Sequence, residues 1–340
     1  MMRAAGSAQI YGISWLTFGS EGSKVSSHVF AADLGGTKCS AAVIDRRGRI
    51  VSSHTEPVDL ASPSAPVLQI GKLAVELAEG KNPAKAFAAA AVAVPGLVRR
   101  NGTVWAPNLP GWERMPLARR VRRLLGIPVV VESDRIAAVI GECWKGAATG
   151  KSDVILLVIG TGIGAGILSG GRVVRGAHEL SGCAGWLTVT REGIPEAPGQ
   201  GELESLAAGP GIARAAQQRL RNGEESCLSR ANVAEITAVD VAAAGRRGDR
   251  LACDVFQRAG RYLGFGVANL ISLFNPETVV IAGGMAAAAD LYLDSLKTAM
   301  LERAQPLAAR QVRITISKLG STVNLLGCAR LAWEAADRAK

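Results

Sequence analysis

A glycine-rich corner occurs twice in this chain, and the segments behind each occurrence repeat one plan. Asp33-Leu34-Gly35-Gly36-Thr37-Lys38 sits between the apolar runs 29–32 and 41–44. Gly160-Thr161-Gly162-Ile163-Gly164 sits between the apolar runs 153–159 and 165–168. Each corner belongs to a set of three short strand signals, 29–34, 41–44 and 50–54 in the first copy and 153–159, 165–168 and 172–174 in the second. In the first copy a helix (67–77), a strand (86–94), a helix (117–125), a strand (127–131) and a helix (136–143) follow. In the second copy, helical segments lead to strands at 278–282 and 312–316 and a closing helix at 323–338. The repeat predicts an α/β protein made of two similar lobes, with the ligand in a central cleft near the carboxyl ends of strands.

The first corner has its own chemistry. Glycines let backbone N–H groups approach a phosphate closely. The Thr37 hydroxyl and the Lys38 ammonium add donors. A carboxylate at Asp33 would repel the phosphate unless it helps to hold a hydrated Mg²⁺. An ordinary tight hairpin is the alternative reading of the hexapeptide taken alone. The strand at 127–131 delivers Glu132-Ser133-Asp134 to its carboxyl end. Asp134 is either the N-cap of the next helix or a carboxylate facing the cleft, and one side chain can do both.

The totals set limits. The chain has 340 residues, 48% hydrophobic and 20% charged, which suits two globular domains. No run of about 18 uncharged apolar residues occurs, so no membrane partner is expected. The net charge is +10 and the isoelectric point is near 9.6. Such a balance reflects either an arginine-rich proteome or an anionic ligand such as a nucleotide. No helix-turn-helix arm or aromatic-basic RNA signature is present, so no nucleic-acid partner is expected. The arginines at 114, 119, 120, 122 and 123 read as a solvated helix face or as a rim for a polymeric phosphate donor. The six cysteines form no CxxC pair and no disulfide framework, and the three histidines lie far apart. A reducing cytoplasm is the expected setting, and a zinc site is not expected. Residues 1–27 read as a disordered tail or an upstream start, without the apolar core of a secretory signal.

Five motifs stand in order: Asp33-Leu34-Gly35-Gly36-Thr37-Lys38, Pro107-Asn108-Leu109-Pro110-Gly111-Trp112, Glu132-Ser133-Asp134, Gly160-Thr161-Gly162-Ile163-Gly164-Ala165-Gly166, and the run from Asn275 to Gly284. Together they resemble the ROK family (repressors, open reading frames, kinases) of the actin-like ATPase superfamily, from about residue 28 to the end. The resemblance implies a duplicated actin-like, ribonuclease H-like ATPase fold closing around ATP, Mg²⁺ and a sugar. It divides the chain into a tail (1–27), an N-terminal domain (28–136), a C-terminal domain (137–320) and a closing helix (321–340) that packs back on the N-terminal domain. It implies a glucokinase-like sugar kinase that phosphorylates a hexose or modified hexose, with a homodimer as the simplest assembly. The alternative is a catalytically impaired binding protein acting as sensor or regulator. The DNA-binding segment of the family's regulators would need roughly sixty residues ahead of Asp33, more than this sequence has there.

Carried over by position, Asp33 resembles the metal-organising carboxylate, and Gly35, Gly36, Thr37 and Lys38 the first phosphate loop. Thr161, Gly162 and Gly164 resemble the second loop, and Gly283 and Gly284 the turn beside adenosine. Asp134 occupies the place of the general base. Asn108, Ser133, Asp134, Glu204 and Trp186 fall at or near sugar-contacting positions. The family's E-x-G-H segment reads Cys183-Ala184-Gly185-Trp186 here, and its cysteine-rich zinc loop reads 198–204 with no cysteine. A zinc-free protein is therefore expected, with Cys183 as a small buried filler and Trp186 packing into the vacated space or stacking on a sugar face. Loss of the Glu also predicts that unmodified glucose is a poor substrate.

Overall fold

The computed structural model describes residues 26–190, 199 and 201–339. Most of the tail read at 1–27 and most of the loop at 191–200 lie outside them.

Two five-stranded sheets repeat the same order. In the first, β1 (His28–Leu34), β2 (Lys38–Asp45) and β3 (Ile50–Pro57) form an antiparallel meander, and β4 (Ala90–Val94) and β5 (Val129–Ser133) add in parallel, giving β3-β2-β1-β4-β5. In the second, β6 (Val154–Ile159), β7 (Ile163–Ser169) and β8 (Arg172–Val173) form the meander, with β9 (Thr278–Ala282) and β10 (Arg313–Ile316) in parallel, giving β8-β7-β6-β9-β10. The expected glycine hairpins are the β1–β2 and β6–β7 connections, closed by the Leu34–Cys39 and Ile159–Ile163 pairs.

Alternation along β1 shows how a central strand serves two layers. Phe30, Ala32 and Leu34 join the outer core under helices α1 (Ala65–Leu77) and α2 (Leu117–Leu125). Val29 and Ala31 join a middle core. That core holds α3 (Asp134–Lys145) and the last helix packed together between the sheets, with Val154, Leu156 and Val280 of the second sheet on the far side. Two glycines let these helices touch. A Cβ at Gly141 would lie 2.2 Å from the Val323 carbonyl oxygen, and one at Gly327 would lie 1.7 Å from that of Ala137. Beyond the second sheet, helix α4 (Glu202–Ala207) and the long α5 (Arg250–Phe274) and α6 (Ala289–Arg303) complete the other core. The closing helix α7 (Val323–Arg338) packs on β1, β4 and β5, and its Trp333 donates to the Asp45 carbonyl at 3.1 Å.

Local chemistry explains the ends. On α2, Leu117, Val121 and Leu125 recur at helical spacing and are buried, while Arg119, Arg122 and Arg123 face solvent. Gly126 at φ +68° stops that helix in the left-handed conformation. The apolar run 86–94, expected as one strand, splits: Pro83–Ala86 form a helical turn capped by Asn82, and the strand starts at Ala90. Apolarity alone does not separate a buried turn from a buried strand.

Candidate active site

The corners of both sheets and the ends of α3 and α7 meet at one cleft of about 430 Å³. Asp33 and Lys38 line it from the first corner, Gly160 to Gly164 from the second, Asp134 and Arg135 from the start of α3, Glu204 from α4, Gly283 from the end of β9, and Ser321 and Asn324 from the chain leading into and starting α7.

Asp134 is the first residue of α3, half-buried, and its Oδ1 accepts the Arg135 N–H at 2.8 Å. Ser133 holds the N-cap position without a side-chain cap bond, and it is the Asp134 carboxylate that accepts a free N–H at the head of the helix, leaving its other oxygen to the cleft. Burial raises the Asp134 pKa, against the lowering effect of that N–H and of the Arg135 charge. Asp33 ends β1's run toward the corner and accepts from Asn324 Nδ2 at 3.1 Å. Burial pushes its pKa up to about 6, with the nearby Asp134 charge also raising it and Asn324 and Lys38 opposing. Two carboxylates whose ionised forms are disfavoured by burial, Asp33 also by the Asp134 charge, suit a cation placed between them and a ligand.

The corners expose unused donors. In the first, the Gly35 N–H is taken by the Lys38 carbonyl at 2.9 Å, so it does not serve a ligand. The N–H groups of Gly36 and Thr37 have no acceptor among the described residues. In the second, Gly160 N–H bonds to the Gly162 carbonyl at 2.9 Å and Ile163 N–H to Glu204 Oε2 at 2.8 Å. Those of Thr161 and Gly162 have no acceptor among the described residues.

Other expected site residues divide. Gly35, Gly36 and Thr37 join the two lining residues Asp33 and Lys38 but do not line the cleft themselves, and Gly284 follows Gly283 just outside it. Asn108 is exposed, and a Cβ added to Gly36 would lie 3.7 Å from its Cβ. Trp112 anchors that loop, fully buried and donating to the Pro63 carbonyl at 2.9 Å. Ser133 is buried with an Oγ that has no partner among the described residues. Glu132 is not available for chemistry, because Arg175 of the second lobe grips both its oxygens. Glu204 lies in the cleft, but one of its oxygens supports the second corner.

Two expectations at the altered segment are corrected. Cys183 is exposed rather than a buried filler, and Trp186 is 60% exposed rather than packed into a void. The neighbouring chain is held by backbone bonds rather than by these two side chains. Glu202, buried, accepts the Val189 and Thr190 N–H groups at 2.9 and 2.6 Å, and the Leu203 N–H donates to the Leu187 carbonyl at 3.3 Å. Among the described residues no group of three or more His, Cys, Asp or Glu is placed to hold a metal, and no helix is long and apolar enough to cross a membrane.

Sequence reasoning missed Arg135, Ser321 and Asn324. Asn324 left one trace, a polar residue at the head of a helix whose next positions, Leu325, Leu326, Cys328 and Ala329, are buried. Arg135 and Ser321 enter the cleft through tertiary placement alone.

The family model described as ROK family matches residues 29–335. The glucokinase of Streptomyces coelicolor is 32% identical over 311 residues, spanning 89% of this chain and 96% of its own. The crystal structure of a ROK family glucokinase from Streptomyces griseus in complex with glucose and AMPPNP superposes with a TM-score of 0.75 at 31% identity, over 90% of this chain and 99% of that one. A ROK family transcriptional regulator, a homologue of the E. coli Mlc protein, superposes with a TM-score of 0.82 at 26% identity, over 91% of this chain and 78% of its own. The repeated sheets are thus those of the duplicated actin-like ATPase fold, and this chain belongs to the ROK family.

Proposed function

We propose that this protein is an ATP-dependent sugar kinase with Asp134 as general base. One observation carries the reading: a half-buried carboxylate with a raised pKa shares a single cleft with both glycine corners. With Oδ1 held by the Arg135 N–H, Oδ2 is the oxygen left to take the proton of a sugar hydroxyl. Burial makes that carboxylate a better proton acceptor than an ordinary one. The unpaired N–H groups at 36, 37, 161 and 162 and the Lys38 ammonium would receive the triphosphate oxygens. Asp33 would hold Mg²⁺ through water, and the ion would offset charge on the transferring phosphoryl group. Asn108, Ser133, Glu204 and Trp186 would line the sugar side, and Gly283 and Gly284 the adenosine side. The cleft would close between residues 28–136 with 321–340 on one side and 137–320 on the other. The AMPPNP and glucose bound to the Streptomyces griseus relative support ATP as donor and a small-molecule sugar as acceptor. We place the protein in the cytoplasm as a homodimer.

A second reading, a sugar or nucleotide sensor without turnover, is favoured by Cys183 and Trp186 at the altered segment and by the likeness to the regulator. A coupled ADP-release assay over a sugar panel separates the two. Turnover with at least one sugar, lost in Asp134→Asn, supports the kinase. Measurable ATP binding with no turnover on any sugar overturns it.

A further inference from the structure

We propose that Arg135 selects an acceptor sugar bearing a carboxylate, so that this chain acts on a sugar acid rather than a neutral hexose; the proposal rests on the kinase reading for its chemistry but not for its binding test. Arg135 follows the base directly and lines the same cleft. Its aliphatic stem crosses the second corner, where a Cβ on Gly164 would lie 3.2 Å from its Cδ. Its guanidinium then reaches Cys183, with Nη1 3.5 Å from Sγ. Its Nε is buried with no acceptor, and no carboxylate pairs with the guanidinium among the described residues.

A guanidinium is always charged and is built to grip two oxygens at once. A thiol is a weak acceptor and cannot satisfy it. One buried N–H of this half-buried group is left without an acceptor, and a ligand oxyanion in the cleft would pair with it better than the thiol does. The other charged groups of the cleft form no salt bridge with the guanidinium among the described residues, although Asp134 is close enough to feel its charge. Asp33 is engaged by Asn324, Glu204 supports Ile163, and Asp134 turns one oxygen to the backbone. Lys38 serves the opposite corner. At the Cys183 end the guanidinium has no salt-bridge partner among the described residues, and the nearest acidic group there, Glu204, spends one oxygen on the second corner. An acceptor with its hydroxyl at Asp134 and a carboxylate within reach of the Arg135 guanidinium would pair both groups.

The test measures binding of D-gluconate, D-glucuronate, D-glucose and D-mannose by calorimetry with AMPPNP present, alongside ADP release with ATP. At least one acid is expected to bind about tenfold to a hundredfold more tightly than the neutral sugars, the range of a charge-assisted pair. Arg135→Gln should erase that preference, and Arg135→Lys should restore part of it, with thermal denaturation checking that both fold. Neutral sugars binding as well as the acids, or neither acid binding, overturns the proposal. So does an equal loss of affinity for AMPPNP in Arg135→Gln, which would assign the guanidinium to the triphosphate. Acid-selective binding without any ADP release would sink the kinase reading and leave the selectivity standing. Unselective turnover would do the reverse.

Discussion

The two glycine corners share a sequence pattern but differ in what demands their glycines. At the β1–β2 corner the space at Gly36 is open: a Cβ there would meet only Asn108 at 3.7 Å, ordinary contact distance, while one on Gly35 would lie 3.2 Å from the Lys38 carbonyl oxygen. At the β6–β7 corner the protein itself fills the space. A Cβ on Gly162 would lie 2.6 Å from Glu204 Oε2, and one on Gly166 would lie 2.3 Å from the Arg135 carbonyl oxygen. The first corner instead contributes charge, through Asp33 and Lys38. One motif thus leaves room beside Gly36 on one side and permits close packing of α3 and α4 on the other. Duplication preserved the backbone, and the lobes then used it differently.

Substitutions grade this comparison. Asp134 lies between the corners, and Asp134→Asn should lower kcat by about 10²- to 10⁴-fold with little change in thermal stability, measured on whichever sugar turns over. Gly166→Ala should destabilise by about 3 kcal/mol in denaturant unfolding, because the blocking atom is backbone and cannot swing aside. Asp33→Asn should act in the opposite direction. The folded pKa of about 6 exceeds the ordinary 3.8, so the folded protein binds this proton more tightly than the unfolded chain. The cost of ionising Asp33 in place is therefore felt above about pH 6 and vanishes below its unfolded pKa. In metal-free buffer near neutral pH the variant should be more stable by about 2 kcal/mol, and the gain should shrink as the pH falls through that window. Gly162→Ala should cost about 1 kcal/mol, since the Glu204 side chain can retreat but gives up its bond to Ile163. Gly36→Ala should stay within about 0.5 kcal/mol of wild type and still raise KM for ATP. A large loss of stability in Gly36→Ala would erase the contrast between the corners.

The architecture was legible because it is periodic. Apolar runs of strand length, the corner glycines and the repeat of both give the strands and their succession along the chain. The Ala86 to Val94 segment escaped, since a continuous apolar run looks the same as strand or buried turn. Asp33, Lys38, Asp134, Thr161, Gly162, Gly164, Glu204 and Gly283 were also legible, and all line the cleft. Cys183 and Trp186 were misjudged. Small or aromatic apolar residues suggest packing, but backbone bonds hold the neighbouring chain and these two side chains are exposed.

The order of residues alone determined the repeat, the glycine corners and the acid placed after the fifth strand, because these depend on local backbone preference and alternation. Tertiary structure decided which side chains share the cleft. Asn324 reaches Asp33 across 291 positions, and Arg135 reaches Cys183 across 48. Such meetings follow from how α3 and α7 seat between the sheets, and no local pattern encodes a contact whose partners are brought together only by the packing of the whole.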